Sequence, residues 1–111
     1  IASGGLTPCV DRIGARIGAS GTVGTEVEGR EGRYSGRIGS PVVIVLEKAT
    51  RTRRLIEQLG VEVDWPARCA YADSFHDLPF LKLAGRPTAV HPDAKLARVA
   101  RERGWPVVDG R

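Results

Sequence analysis

Apolar and polar positions divide the chain into short strand-like runs and longer helical periods. Ile1-Ala2 reads as the end of a buried parallel strand, and Ser3-Gly4-Gly5-Leu6-Thr7-Pro8 as the turn out of it. From Pro8 to about Gly18, Val10, Ile13 and Ile17 recur at helical spacing and predict an amphipathic helix. The period then changes. Between Thr22 and Ile38, Val23, Thr25 and Val27 alternate, a Gly-Arg-Glu-Gly-Arg turn follows, and Tyr34 and Ile38 lie beyond it, which predicts a β-hairpin. Ser40 to Lys48 leads into a second helix over Ala49 to Leu59. That helix carries Leu55, Ile56 and Leu59 on one face and Arg51, Arg53 and Arg54 on the other, with Gly60 placed to end it.

Val61 to Trp65 leads towards a short apolar run, Cys69-Ala70-Tyr71-Ala72, which stops at Asp73. Pro79 falls inside the first turn of the next helix, where a missing N–H costs nothing. A Gly85-Arg86-Pro87 turn, a strand Thr88-Ala89-Val90 and a His91-Pro92-Asp93 cap precede a helix from Ala94 to Arg103. Gly104 to Val108 then closes the chain as an edge strand. Strands alternating with helices predict an α/β fold with a parallel sheet.

Composition narrows the classes. At 111 residues, 41% apolar and 27% charged, the chain is one soluble globular domain at most. No apolar run approaches the roughly 20 residues that span a bilayer, and no signal peptide is visible. Cys9 and Cys69 lie far apart without metal-ligand spacing, so buried, reduced thiols in a cytoplasmic protein are expected. The net charge of +4 invites a nucleic-acid reading. It is set aside because the arginines spread along helices and aromatic content is only 5%, without an interleaved stacking platform. The chain contains no Met and opens directly on an apolar pair, so it is expected to be the carboxyl-terminal part of a longer polypeptide.

The strongest chemical signal is YADSFHDLPFL, residues 71 to 81. A strand ends in Asp73, Asp77 follows four residues later, and a helix begins. If the turn winds into helix at once, the two carboxylates stand one turn apart and can face one point. Two hard oxygen ligands with open positions left over suit Mg²⁺. The same residues would also serve as an Asp N-cap with a second acid favouring the helix dipole. Near the start, a hydroxyl on the glycine-rich turn Ser3-Gly4-Gly5 beside a helix N-terminus suits an anion.

These stretches together resemble the haloacid dehalogenase superfamily, in its phosphoserine-phosphatase-type branch. The last motif of that family is a strand ending in a small residue, then Asp, Ser or Gly, two variable residues and Asp; Asp73 to Asp77 match it. The match continues from Asp73 to Asp109, through the Gly-x-Pro turn and the Gly-Trp-Pro ending. IASGGLTPCVDRIGARIG resembles the second motif, which implies that Ser3 and Gly4 bind the substrate phosphate. Glu28, Gly32, Tyr34 and Gly36 echo the family hairpin. The third motif, a Lys after Gly-Glu-Gly or Gly-x-x, implies Lys48 as the catalytic and phosphate-neutralising cation. Here Val45-Leu46-Glu47 replaces the glycine-containing turn, and Arg51 and Arg53 lie close by. Family members usually carry Asn where His91 stands. His91 reads as a loop imidazole replacing it, with proton donation as the other role, and His76 as a residue pointing away from the metal.

The resemblance implies a Rossmann-like three-layer core with a parallel sheet and a β-hairpin, its N-terminal part missing. Residues 1–111 would be a single partial core domain carrying motifs two to four, with no separate cap domain. It implies a Mg²⁺-dependent phosphomonoester hydrolase acting on a small phosphorylated metabolite through an aspartyl-phosphate. The nucleophile of the family lies in an Asp-x-Asp, which occurs nowhere in the 111 residues. A catalytically dead remnant or phosphate-binding module is therefore the alternative. An acidic-pocket signalling domain of the response-regulator kind is disfavoured by the Ser-Gly-Gly turn and the Gly-Trp-Pro ending.

Overall fold

The computed structural model describes residues 1–110, and they fall into two compact units, residues 1–60 and 61–110. In the first, β1 (Ala2–Leu6) pairs in parallel with β2 (Val23–Thr25), and α1 (Thr7–Ile17) makes the crossover. A hairpin of β3 (Val27–Arg30) and β4 (Arg33–Ile38) follows, then α2 (Leu46–Gln58). The α/β class, with parallel pairing and a hairpin, is as the sequence predicts.

Several local details differ from the predicted ones. The first strand does not end at Ala2. It runs on through the Ser-Gly-Gly stretch as a bulge, since Ala2 pairs with Val23 and Leu6 with Thr25, four steps along β1 against two along β2. Val23 and Thr25 are also not an arm of the hairpin. At Glu26 the backbone turns to other partners: its N–H donates to Ser40 Oγ at 2.9 Å and its carbonyl accepts from Gly39 N–H at 2.8 Å. The extended run therefore splits into two strands with different neighbours, which unbroken alternation conceals. The hairpin loop is Glu31-Gly32, with φ of 51° and 75°. Two positive values in a two-residue loop match the right-handed twist of the flanking strands.

Helix α1 buries Val10 and Gly14, whereas Ile13 and Ile17 are 58% and 67% exposed. The helix is drawn onto β2 along the Val10–Gly14 line, where Gly14 lies against Thr22 and the Thr22 hydroxyl donates to Asp11. Helix α2 starts three residues earlier than expected. Its Ala49 is buried, Leu55 and Ile56 are half-buried, Leu59 is exposed, and Gly60 ends it at a φ of 66°.

The second unit is a three-stranded parallel sheet, β5 (Cys69–Ala72), β6 (Arg86–Val90) and β7 (Val107–Val108), in that order. Its helices are α3 (Leu78–Leu81) and α4 (Ala94–Arg103). The core is Ala70 and Ala89 from the strands with Leu81, Leu96 and Ala100 from the helices. Each fully buried leucine stabilises the unit by about 1.5–3 kcal/mol, and the small strand residues let the helices come close. Alternation along β5 turns Ala70 inward and leaves Cys69 and Tyr71 outside. Cys69 is therefore exposed, and Cys9 on α1 is exposed as well; both are free thiols, not buried as expected. Gly85 is required: a Cβ there would lie 2.1 Å from the Pro66 carbonyl oxygen. Pro87 sits inside the central strand, which begins at Arg86 and not at Thr88. It is tolerated because β7 pairs only with Ala89 and Val90, so a donor at Pro87 would have no partner on that side.

Asp93 joins the acidic loop to α4. Its Oδ1 accepts the Leu96 N–H as an N-cap, its Oδ2 accepts the Phe75 N–H, both at 2.8 Å, and its own N–H donates to the Asp73 carbonyl at 2.9 Å. The Leu96 and Phe75 amides hold its carboxyl below the ordinary value. A group that loses its proton more readily when folded stabilises the fold at neutral pH, and that stabilisation disappears as pH falls through the depressed value. Asp93→Ala is expected to lower stability by about 1–2 kcal/mol at pH 7 and to flatten the acid limb of the stability profile. Urea unfolding of both proteins from pH 7 to pH 3 measures this; parallel profiles would contradict it.

Candidate functional site

The first unit carries Ser3, Gly4 and Lys48. The bulge in β1 lifts Ser3-Gly4-Gly5 out of regular pairing at the end that leads into α1. Ser3 Oγ accepts the Gly5 N–H at 3.0 Å, and a hydroxyl engaged through one lone pair still has its own proton to donate. Helix α1 follows with Leu6 at its N-cap position, no side-chain cap and Pro8 in its first turn. No side chain of the described residues caps its first amides, an arrangement suited to an anion.

Gly4 lies against the segment that leads into α2. A Cβ on it would be 3.2 Å from Ile44 Cγ2 and 3.3 Å from the Val43 carbonyl oxygen, so a side chain would push the two apart. Between them sits Thr25, only 2% exposed. Its hydroxyl donates to the Gly4 carbonyl and accepts the Val43 N–H, each at 3.0 Å. From Val43 the chain turns tightly, with the Ile44 N–H on the Val42 carbonyl at 2.9 Å and the Glu47 N–H on the Ile44 carbonyl at 3.0 Å. Lys48 stands half-buried in the first turn of α2.

At Val45, φ is 49° and ψ is −118°. This backbone region suits glycine, and a β-branched residue is strained in it. The chain thus makes a glycine-like turn ahead of Lys48 without the glycine. Arg51, which the sequence places close to Lys48, is engaged elsewhere. It donates to the Gly24 carbonyl at 3.1 Å and to Ser40 Oγ at 3.2 Å, and pairs with Glu26 at 3.3 Å. A cavity of about 440 Å³ opens in this unit, lined by Gly4, Thr25 and the apolar Leu6, Pro8, Tyr34 and Val42 among others.

The second unit carries Asp73 and Asp77. The chain leaves β5 at Asp73, stays extended at Ser74, and then makes a 3-10 turn over Phe75–Asp77 before α3. The helix does not start at Asp73, so the i, i+4 spacing is realised through a tighter turn. That turn is pinned: the Asp77 N–H donates to the Ser74 carbonyl at 3.0 Å, the His76 N–H to Ser74 Oγ at 3.2 Å, and the Phe75 N–H to Asp93. Asp73 is exposed and Asp77 is buried. Among the described residues no three His, Cys, Asp or Glu side chains gather as a metal site. Two carboxylates at the ends of a fixed turn still fit Mg²⁺, which commonly takes only one or two carboxylates and keeps waters.

His91 has a φ of 43°, donates its N–H to the Val108 carbonyl at 2.8 Å, and places Nδ1 3.3 Å from Asp109 Oδ1. A left-handed backbone position accepts Asn, Asp and His more readily than other residues, which suits His91 to its positive φ. His76 is exposed. Neither Thr25 nor the loop-pinning role of Asp93 was evident from the sequence. Thr25 reads there as one more alternating strand residue, and Asp93 as a helix cap alone.

Residues 1–82 match the family model described as haloacid dehalogenase-like hydrolase. A curated relative from Mycobacterium tuberculosis, phosphoserine phosphatase SerB1, is 39% identical over 100 residues, covering 89% of this chain and 32% of that protein. A histidinol-phosphatase from Neisseria meningitidis is 39% identical over 96 residues, covering 84% of this chain and 43% of that protein. The chain thus spans less than half the length of these relatives. Among solved structures, a probable phosphoserine phosphatase from Vibrio cholerae superposes with a TM-score of 0.77 at 27% identity, over 97% of this chain and 32% of the other.

Val45→Gly is expected to relieve backbone strain of about 1–3 kcal/mol against an entropic cost of roughly 0.5–1 kcal/mol. The net effect is a modest rise in the urea midpoint, one that Val45→Ala does not reproduce. A lower midpoint for the glycine variant would show that the turn is unstrained.

Proposed function

The chain belongs to the haloacid dehalogenase-like hydrolases, and on that premise we propose that it supplies motifs two to four of a Mg²⁺-dependent phosphomonoester hydrolase core. The observation that carries the reading is the Ser3–Gly5 bulge at the head of an uncapped helix, with Gly4 packed on the segment that leads to Lys48.

In this reading the Ser3 hydroxyl and neighbouring amides bind phosphate oxygens. Lys48, a compact cation, offsets charge on the phosphoryl group. In the second unit, Asp73 and Asp77 are the residues that would hold Mg²⁺, a cation that commonly takes one or two carboxylates and keeps several waters. The cavity beside Gly4 leaves room for the organic group of a small metabolite; relatives named for phosphoserine and for histidinol phosphate suggest amino-acid-like phosphate esters. Hydrolysis would break the ester P–O bond by attack of an aspartate from an Asp-x-Asp, and water would then cleave the aspartyl-phosphate. No helix of the described residues is long and apolar enough to cross a membrane.

Val45 and Glu47, where the resembled motif has glycine, favour one further reading, a phosphate-binding module without turnover.

The 111-residue chain by itself is expected to show no hydrolysis of p-nitrophenyl phosphate, because positioning and metal do not replace a nucleophile. Mg²⁺-dependent turnover that vanishes in Asp73→Asn would overturn this. Mg²⁺ titrated into the isotope-labelled chain is expected to shift the amides of residues 73–77 saturably, with Asp73→Asn weakening binding by about tenfold or more. An unchanged titration in that variant would remove these carboxylates from the reading.

A further inference from the structure

Thr25 has the features of a positioning device. It is almost wholly buried on β2, yet neither of its hydroxyl bonds serves β2 itself. One goes to Gly4 in the bulge of β1, and the other comes from Val43 at the start of the turn that carries Lys48. A hydroxyl has one proton to donate. Because the Val43 N–H can only donate, Thr25 must accept it, and its own proton is then committed to the Gly4 carbonyl. The bridge is therefore directional, both of its partners are backbone groups, and its bond from Val43 is buried.

We propose that Thr25 sets the spacing and register between the Ser3-Gly4-Gly5 turn and the first turn of α2, and that phosphate affinity at the turn depends on its hydroxyl. The proposal rests on the phosphate reading of Ser3 and Gly4 given above. The local geometry makes the bridge consequential. Gly4 and the Val43–Ile44 segment are already as close as a missing side chain allows, and the strained Val45 lies two residues beyond the bridged amide. Without the bridge, the buried Val43 N–H and the half-buried Gly4 carbonyl lose the hydroxyl that joins them, and the turn can relax by moving away from β1.

The test is a titration of inorganic phosphate into the isotope-labelled 111-residue chain, followed at the amides of Ser3, Gly4, Gly5 and Lys48. Thr25→Val, which keeps the shape and removes the hydroxyl, is compared with Thr25→Ser, which keeps the hydroxyl. The expected result is that Thr25→Val weakens phosphate binding by about tenfold while Thr25→Ser stays within about twofold of the parent chain. The titration reads the affinity of the folded population, so a loss of stability alone does not move it.

Equal affinity in Thr25→Val would overturn the proposal and leave the phosphate reading intact. Absence of phosphate binding in the parent chain would overturn both. If Thr25→Val does not fold, Thr25→Ala, which leaves room for a water between the two partners, carries the same expectation. Failure of both to fold, with Thr25→Ser folded, would make the hydroxyl a determinant of stability and overturn the positioning role.

Discussion

In each unit, one side chain joins the backbone of two segments where regular pairing breaks. A strand loses its ladder at its carboxyl end, and the amides beyond it need other partners if the loop is to keep one shape. In the first unit the buried Thr25 hydroxyl provides this between β1 and the entry to α2. In the second, the Asp93 carboxylate does so between the acidic loop and α4. Open α/β sheets bind their ligands beyond the carboxyl ends of strands, and these two side chains fix the segments that carry the candidate residues of each unit.

The two solutions differ in ways that follow from their surroundings. Thr25 is enclosed, so a neutral hydroxyl with one donor and one acceptor bond suffices, and a charge there would be costly. Asp93 is exposed and faces the N-terminus of α4, where a carboxylate is favoured by the helix dipole as well as by the amides it accepts. Between them they leave the candidate ligand groups with other tasks: Ser3 spends one lone pair locally, and Asp73 contributes only its carbonyl to the bond with Asp93.

The segment before Lys48 departs from the motif that the chain resembles there. Where the pattern has glycine, Val45 takes up a glycine-like backbone conformation at a cost in strain. Strain of that kind persists only where neighbours over-determine it. The close approach of Gly4, the bond from Val43 to Thr25 and the tight turn through Glu47 do so here. Arg51, which composition alone would offer as a second cation, is tied to Gly24, Ser40 and Glu26 and serves the packing of α2 on the hairpin side.

The sequence by itself determined the order and type of most elements, because those depend on local signals. The α4 limits, Ala94 to Arg103, were legible from the Asp93 cap and the run that follows it, and the position of the hairpin turn from Gly-Arg-Glu-Gly-Arg. The motifs that mark the family were legible because each compresses chemistry into a few adjacent residues, as in Ser3-Gly4-Gly5 and Asp73 to Asp77. Tertiary structure decided what depends on distant partners. It split one alternating run into β2 and β3 by giving Glu26 to Ser40, and it chose Gly14 over Ile13 as the packed face of α1 by bringing Thr22 against it. It also turned Cys69 outward and drew Thr25 into a bridge between residues 18 and 21 positions away. Such bonds join groups far apart in the chain, and no local period or propensity carries information about them.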